Sequence, residues 1–329
     1  MEVHRSRYPT LDAWLKKASA DHWWRQLLDL PREVESVTAA DRVLVPLEDM
    51  AGALEQLRVP GLRRFLRDRF LDPAGVTTAR VELAWAFMLA TQPGLRFGGQ
   101  GQPDFVLEGG DTEIWLEITR VDLESFDRFK EAVVAHLAKE NLKVVPTFRV
   151  VDWPAKVPER NSLISRIEAG ARAALAAGHM VSVSLPEIAA QCSVSLDAMD
   201  DSLPGSSPVW HSSIAPSSEY QQRVERDIRE AISDKAAQSR RGSWTNTLLV
   251  IDISTARLLW MLGWDDMAKW AGAIAIDWHE NPFLAIALTF SDWYTHVPVG
   301  FMRIRPELPD DVRTFLTSLG AKIPGLVPA

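Results

Sequence analysis

GQPDFVLEGGDTEIWLEIT, residues 101–119, is the stretch on which the fold turns. Two β-prone runs, Asp104 to Leu107 and Glu113 to Thr119, flank Glu108, Gly109, Gly110 and Asp111, and a Gly-Gly step between such runs marks a hairpin. Along the second run Ile114, Leu116 and Ile118 fall on one face and Trp115, Glu117 and Thr119 on the other, because strand side chains alternate. Asp104 opens the first strand and Glu117 lies late on the second, so the fold-back brings the two ends of the segment side by side. Neighbouring carboxylates inside a fold resist joint ionisation. A divalent cation removes that penalty, and hard oxygen donors suit Mg²⁺ or Mn²⁺, ions that also engage phosphates.

Working outward, Thr77 or Thr78 is placed to cap a helix over Ala79 to Leu89, ended by Gln92, Pro93 and Gly94, and a strand over Leu95 to Gly98 follows. Residues 1 to 72 read as helical. Leu11, Trp14 and Leu15, then Trp23, Leu27 and Leu30, recur at helical spacing, followed by helices over Leu47 to Leu57 and Gly61 to Phe70. Downstream, the pattern predicts a helix over 125–140, a strand over Lys143 to Val151 and an alanine-rich helix over 162–177. A Ser- and Pro-rich loop spans 192–218, and a charged helix runs from Glu219 to Arg240. The run NTLLVIDI, Asn246 to Ile253, reads as a buried strand. Beyond it come a Trp-rich helix, strands over Ile274 to Trp278, Leu284 to Phe290 and Val297 to Ile304, and a final helix.

The order of these features resembles the PD-(D/E)xK superfamily of metal-dependent nucleases. The resemblance rests on a helical Glu82, then Pro103 and Asp104, then a hairpin, then an apolar strand carrying Glu117 with Thr119 two residues on. It implies that Asp104 and Glu117 bind the metal, with Glu82 assisting from the preceding helix. It also implies an α/β fold: a mixed sheet flanked by helices, with a restriction-endonuclease-like core over 77–254 and an insertion around 121–218. A helical N-terminal region over 1–76 precedes this core, and a Trp-rich α+β extension over 255–329 follows it. Thr119 departs from the family pattern, which has a lysine there to stabilise transition-state charge. Some members carry that lysine on a later core helix, and here Lys235 and Gln238, one helical turn apart, match that position. Lys235 is equally readable as a solvated charge on a charge-rich helix. A rival threading closes the core with the helix at 125–140 and the strand at 143–151.

Composition narrows the options without choosing among them. The net charge of −8 lends no support to a basic nucleic-acid face, so any phosphate contact must come from a local patch. Arg63, Arg64, Arg67 and Arg69 form one such patch. The single cysteine, Cys192, excludes an internal disulfide and a thiolate zinc site. Six tryptophans from Trp244 to Trp293 predict a dense aromatic cluster in the last third. Neither an apolar leader nor a run of membrane-spanning length is visible, so a cytoplasmic protein with no membrane partner is expected. The expected activity is Mg²⁺- or Mn²⁺-dependent hydrolysis of phosphodiester bonds in DNA, with a homodimer or a protein partner compatible with it. The alternative is a nuclease fold that has lost catalysis and binds nucleic acid or protein. A third reading is an unrelated α/β protein whose acids decorate its surface.

Overall fold

The structure, a computed structural model, describes residues 6–20, 22–29, 39–72, 75–109, 112–121, 129, 132–133, 136–137, 139–140, 142, 144–150, 157–188, 190–195, 218–254, 262–291, 298–322 and 326–328. Two compact units divide the chain. Residues 1–121, 225–254 and 264–329 make the first, and residues 122–224 and 255–263 the second.

The first unit is α/β. Its helices are α1 (Pro9–Leu15), α2 (Trp23–Asp29), α3 (Ala39–Gln56), α4 (Leu62–Phe65), which runs directly into a π turn (Leu66–Phe70), and α5 (Val76–Leu89). Strands β1 (Arg96–Phe97), β2 (Phe105–Gly109) and β3 (Thr112–Arg120) follow. A seven-stranded mixed sheet results when these pair in line with four later strands, β7 to β10. The later strands are Thr247–Asp252, Ala285–Phe290, Val299–Ile304 and Leu326–Pro328. β1, β2 and β3 are antiparallel neighbours, β3, β7 and β8 run parallel, β8 and β9 are antiparallel, and β9 and β10 parallel. Every residue of β7 and β8 is buried, as expected of central strands whose sequences are continuous apolar runs.

The sheet order corrects the expected C-terminal boundary. Residues 285–328 do not form an extension beyond the core; they supply three strands of the same sheet as the hairpin. Two further differences have a physical cause. Ile274 to Trp278 is not a strand, although its side chains alternate, because it finds no ladder partner. Ile274 and Ile276 instead line a small apolar pocket with Ile286, Leu288 and Phe301. α3 begins at Ala39, well before Leu47, and carries Pro46 inside it. The buried stripe of Val43, Leu44, Leu47, Met50, Ala51 and Leu54 crosses the proline, and burying that many apolar side chains outweighs the ~3 kcal/mol an interior proline costs.

The aromatic cluster also lies elsewhere than expected. Trp24 and Phe70 lie tilted against each other at 4.5 Å, Phe70 meets Trp14 at 5.1 Å, and Phe65 bridges to Phe97 at 4.7 Å, which in turn meets Phe105 at 5.0 Å. This chain of rings welds the N-terminal helices to β1 and β2. In the last third, among the described residues, Trp264 packs on Phe301, Trp244 donates to a loop carbonyl and Trp278 lies beneath Arg305. Trp260 and Trp293 lie outside the described residues.

The second unit contains a three-stranded antiparallel sheet in the order β4 (Val145–Val150), β6 (Ala190–Ser195), β5 (Val181–Leu185), with the helix α6 (Arg160–Ala177). The strands over 181–195 overlap the start of the expected loop; residues 196–217 and most of the expected 125–140 helix lie outside the described residues. Because β4 belongs to this separate sheet, the rival threading that closes the core with it is excluded. Cys192 is buried on β6, and burial pushes its thiol up to about 12.

Candidate active site

The hairpin fixes the first two acids. β2 and β3 pair Phe105 with Leu116, so continuing that register by one step sets Asp104 opposite Glu117. Asp104 Oδ2 accepts a 2.7 Å hydrogen bond from the backbone N–H of Ile118, the residue after Glu117. The loop before Asp104 is closed just as tightly. Gly98 N donates to Asp104 O at 2.8 Å, and a Cβ on Gly98 would lie 1.6 Å from the carbonyl oxygen of Pro103, so only glycine fits there. Trp244 Nε1 adds a 3.0 Å bond to Gly101 O.

Glu82 comes from α5, a helix buried around nearly its whole circumference. Its carboxylate is 3% exposed, beside 7% for Asp104 and 6% for Glu117. Burial raises the proton affinity of all three acids. Glu82 is pushed well above the usual carboxylate range by desolvation and then by the Asp104 charge. Asp104 is raised by desolvation against the opposing pull of the Ile118 N–H. Glu117 is raised to about 7 by desolvation and by Asp104, against the pull of Lys235. The mutual influence of these charges marks them as one cluster.

Two cations enter it. Lys235, on the helix α7 (Ser218–Gly242), pairs through Nζ with Glu117 Oε1. Ile228, Ala236 and Ser239 on the same helix are buried, so Lys235 flanks the buried stripe and turns inward. The solvated-face alternative for Lys235 therefore fails: its side chain is 21% exposed and paired. Arg69, offered by the sequence only as one of four arginines in a candidate phosphate patch, joins the acids themselves. From the π turn it reaches Glu82 Oε1 at 3.1 Å and Asp104 Oδ1 at 3.4 Å. Two others of the arginine patch are spent elsewhere: Arg64 donates to the carbonyls of Phe97 and Gly98, and Arg67 pairs with the adjacent Asp68 in solvent.

No known family model, curated protein or solved structure matches this chain.

Not every expected residue joins the cluster. Among the described residues, Gln238 makes no hydrogen bond to the three acids, although it lies one turn from Lys235. Thr119 shares a strand face with Glu117 but carries no charge. At the far end of the parallel strands a second buried acid, Asp252, accepts from the Ser254 hydroxyl at 2.8 Å and lies in the field of Arg80 and Arg120.

Carboxylate oxygens are the donor type that a hard divalent ion takes. The cluster offers oxygens from three buried carboxylates, and desolvation raises their proton affinity against the opposing pull of Arg69 and Lys235. Among the described residues, the acids do not by themselves close into a three-ligand cage, and the two cations hold the oxygens an ion would take.

Proposed function

We propose that this chain is a metal-dependent nuclease of the PD-(D/E)xK type, hydrolysing phosphodiester bonds in DNA, with a restriction-endonuclease-like core. The observation that carries the reading is the pairing of Lys235 with Glu117 across 118 positions of sequence. A lysine at the second acid is what this chemistry needs once position 119 is threonine, and nothing about a generic α/β core requires one there.

In this reading Asp104 and Glu117 hold Mg²⁺ or Mn²⁺, with Glu82 as a third ligand. A bound divalent ion supplies Lewis acidity at the scissile phosphate and lowers the pKa of water. The remaining work falls to the chain itself. The Ile118 N–H fixes the Asp104 carboxylate, leaving Oδ1 directed to the cluster. Lys235 keeps a positive charge beside Glu117, where it can hold a water or a phosphate oxygen and oppose the charge that develops on phosphorus. Gln238 contributes by orienting water or phosphate once substrate is present. Burial of the three acids excludes bulk solvent and strengthens each of these interactions.

The direct test is cleavage of linear, circular and single-stranded DNA with Mg²⁺ or Mn²⁺, beside Glu117→Ala and Lys235→Ala. We expect cleavage by the wild type, and losses of at least about 10²-fold in each variant. Titration with Mn²⁺ should show binding that Asp104→Ala abolishes. Mn²⁺ binding without cleavage of any substrate would favour the fold-retaining binding module, and no Mn²⁺ binding at all would end the metal-centred reading.

A further inference from the structure

Arg69 stands out because its bonds do not match its surroundings. It bridges two almost fully buried carboxylates, yet its own side chain is 54% exposed. Its contacts, 3.1 and 3.4 Å, are long for charge-assisted hydrogen bonds, which settle near 2.7–2.9 Å. The Ile118 N–H on the same aspartate reaches 2.7 Å. Its backbone is unusual as well. Leu66–Phe70 is a π turn that closes the short helix α4, a geometry that is rare in proteins.

Resting on the nuclease reading, we infer that Arg69 is a phosphate-binding residue that serves as a resident counter-ion until metal and substrate arrive. The oxygens it touches, Glu82 Oε1 and Asp104 Oδ1, are among those a divalent ion would take, so ion and guanidinium compete for the same lone pairs. A guanidinium pushed off two carboxylates sits at the solvent boundary with its fork free. The partner that best replaces a carboxylate is another planar pair of anionic oxygens, as on a phosphodiester. The exchange also makes the site attractive to an anion: a divalent ion brings two positive charges to the acids and leaves Arg69 unspent. Arg64, five residues earlier and anchored on the carbonyls of Phe97 and Gly98, sets a second cation beside the loop that delivers Asp104. The proposed ligand of Arg69 is thus the backbone of the DNA strand, bound without regard to base sequence.

The test uses full-length Arg69→Gln, Arg69→Lys and, as a control, Arg67→Gln, whose arginine pairs with Asp68 in solvent. Mn²⁺ binding is measured by calorimetry without DNA, and binding of a short duplex is measured in Ca²⁺. Arg69→Gln should bind Mn²⁺ several-fold more tightly than wild type, because the competing cation is gone. Its affinity for duplex should fall about tenfold, and its salt slope should shrink by about 1. Arg69→Lys should recover part of the DNA affinity, and Arg67→Gln should leave Mn²⁺ binding unchanged. Weaker Mn²⁺ binding in Arg69→Gln would mean that the arginine merely holds the carboxylates in place, which overturns the inference. So would DNA binding equal to wild type in a folded Arg69→Gln, with the nuclease reading left standing. A wild type that binds neither Mn²⁺ nor duplex removes both.

Discussion

At the scale of single residues, the decisive quantity is the balance of charge around Glu117. Its carboxyl titrates near 7 instead of near 4.5, so the metal-free folded protein holds a proton there that the unfolded chain gives up. Stability from this group is therefore fully present below about pH 4.5 and is lost as pH rises through about 7. We expect metal-free protein to lose unfolding free energy between those limits, and Glu117→Gln to flatten that slope, read from urea melts across pH. Metal binding must run the opposite way, tightening as the acid ionises. Lys235→Met should destabilise the metal-free protein by roughly 1–3 kcal/mol by leaving a buried acid unpaired. Glu117→Gln combined with it should recover most of that loss, a non-additivity that a double-mutant cycle measures. The hairpin acids were legible in the sequence because their juxtaposition is local: a Gly-Gly turn and period-two alternation suffice. Arg69 was legible only as one of a patch of arginines, because which of them reaches the acids depends on a π turn that no residue type signals. Lys235 was legible only by analogy, since nothing in its own charged helix distinguishes a buried partner from water.

Secondary-structure elements reveal a second lesson, that the loop before Asp104 is as much a part of the site as the strand after it. Gly98→Ala would force a methyl against the Pro103 carbonyl, so the loop must open. We expect this single methyl to destabilise the protein by ~1–3 kcal/mol and to weaken Mn²⁺ binding. Trp244→Phe, which removes only the indole N–H bonded to Gly101 O, should lower stability by about 1 kcal/mol, with a small effect on the ion. Thermal melts with and without Mn²⁺ would separate the two. The central strands β7 and β8 were readable as unbroken apolar runs. The hairpin of β5 and β6 was not, since Ser182, Ser184 and Ser193 give it the composition of a loop, and only cross-strand pairing such as Val183 with Cys192 makes it a sheet. Alternation at Ile274 and Ile276 misled for the opposite reason: it records packing into a pocket, with no neighbouring strand to bond.

At the scale of the whole molecule, the sheet joins segments from opposite ends of the chain. β3 and β7 lie side by side and parallel, yet the path between them carries residues 122–224 of the second unit and the whole of α7. Long-range parallel pairing forms slowly because the loop must close before any contact rewards it. That arrangement has a consequence for the order of events during translation. A nascent chain that has emerged only as far as the hairpin carries Glu82, Asp104 and Glu117 with Arg69 as their single neutralising partner. The lysine arrives more than a hundred residues later, on the helix that leads into β7. The last component the ribosome delivers to the cluster is thus the one that the proposed chemistry can least do without, so that under that proposal an unfinished polypeptide is inert.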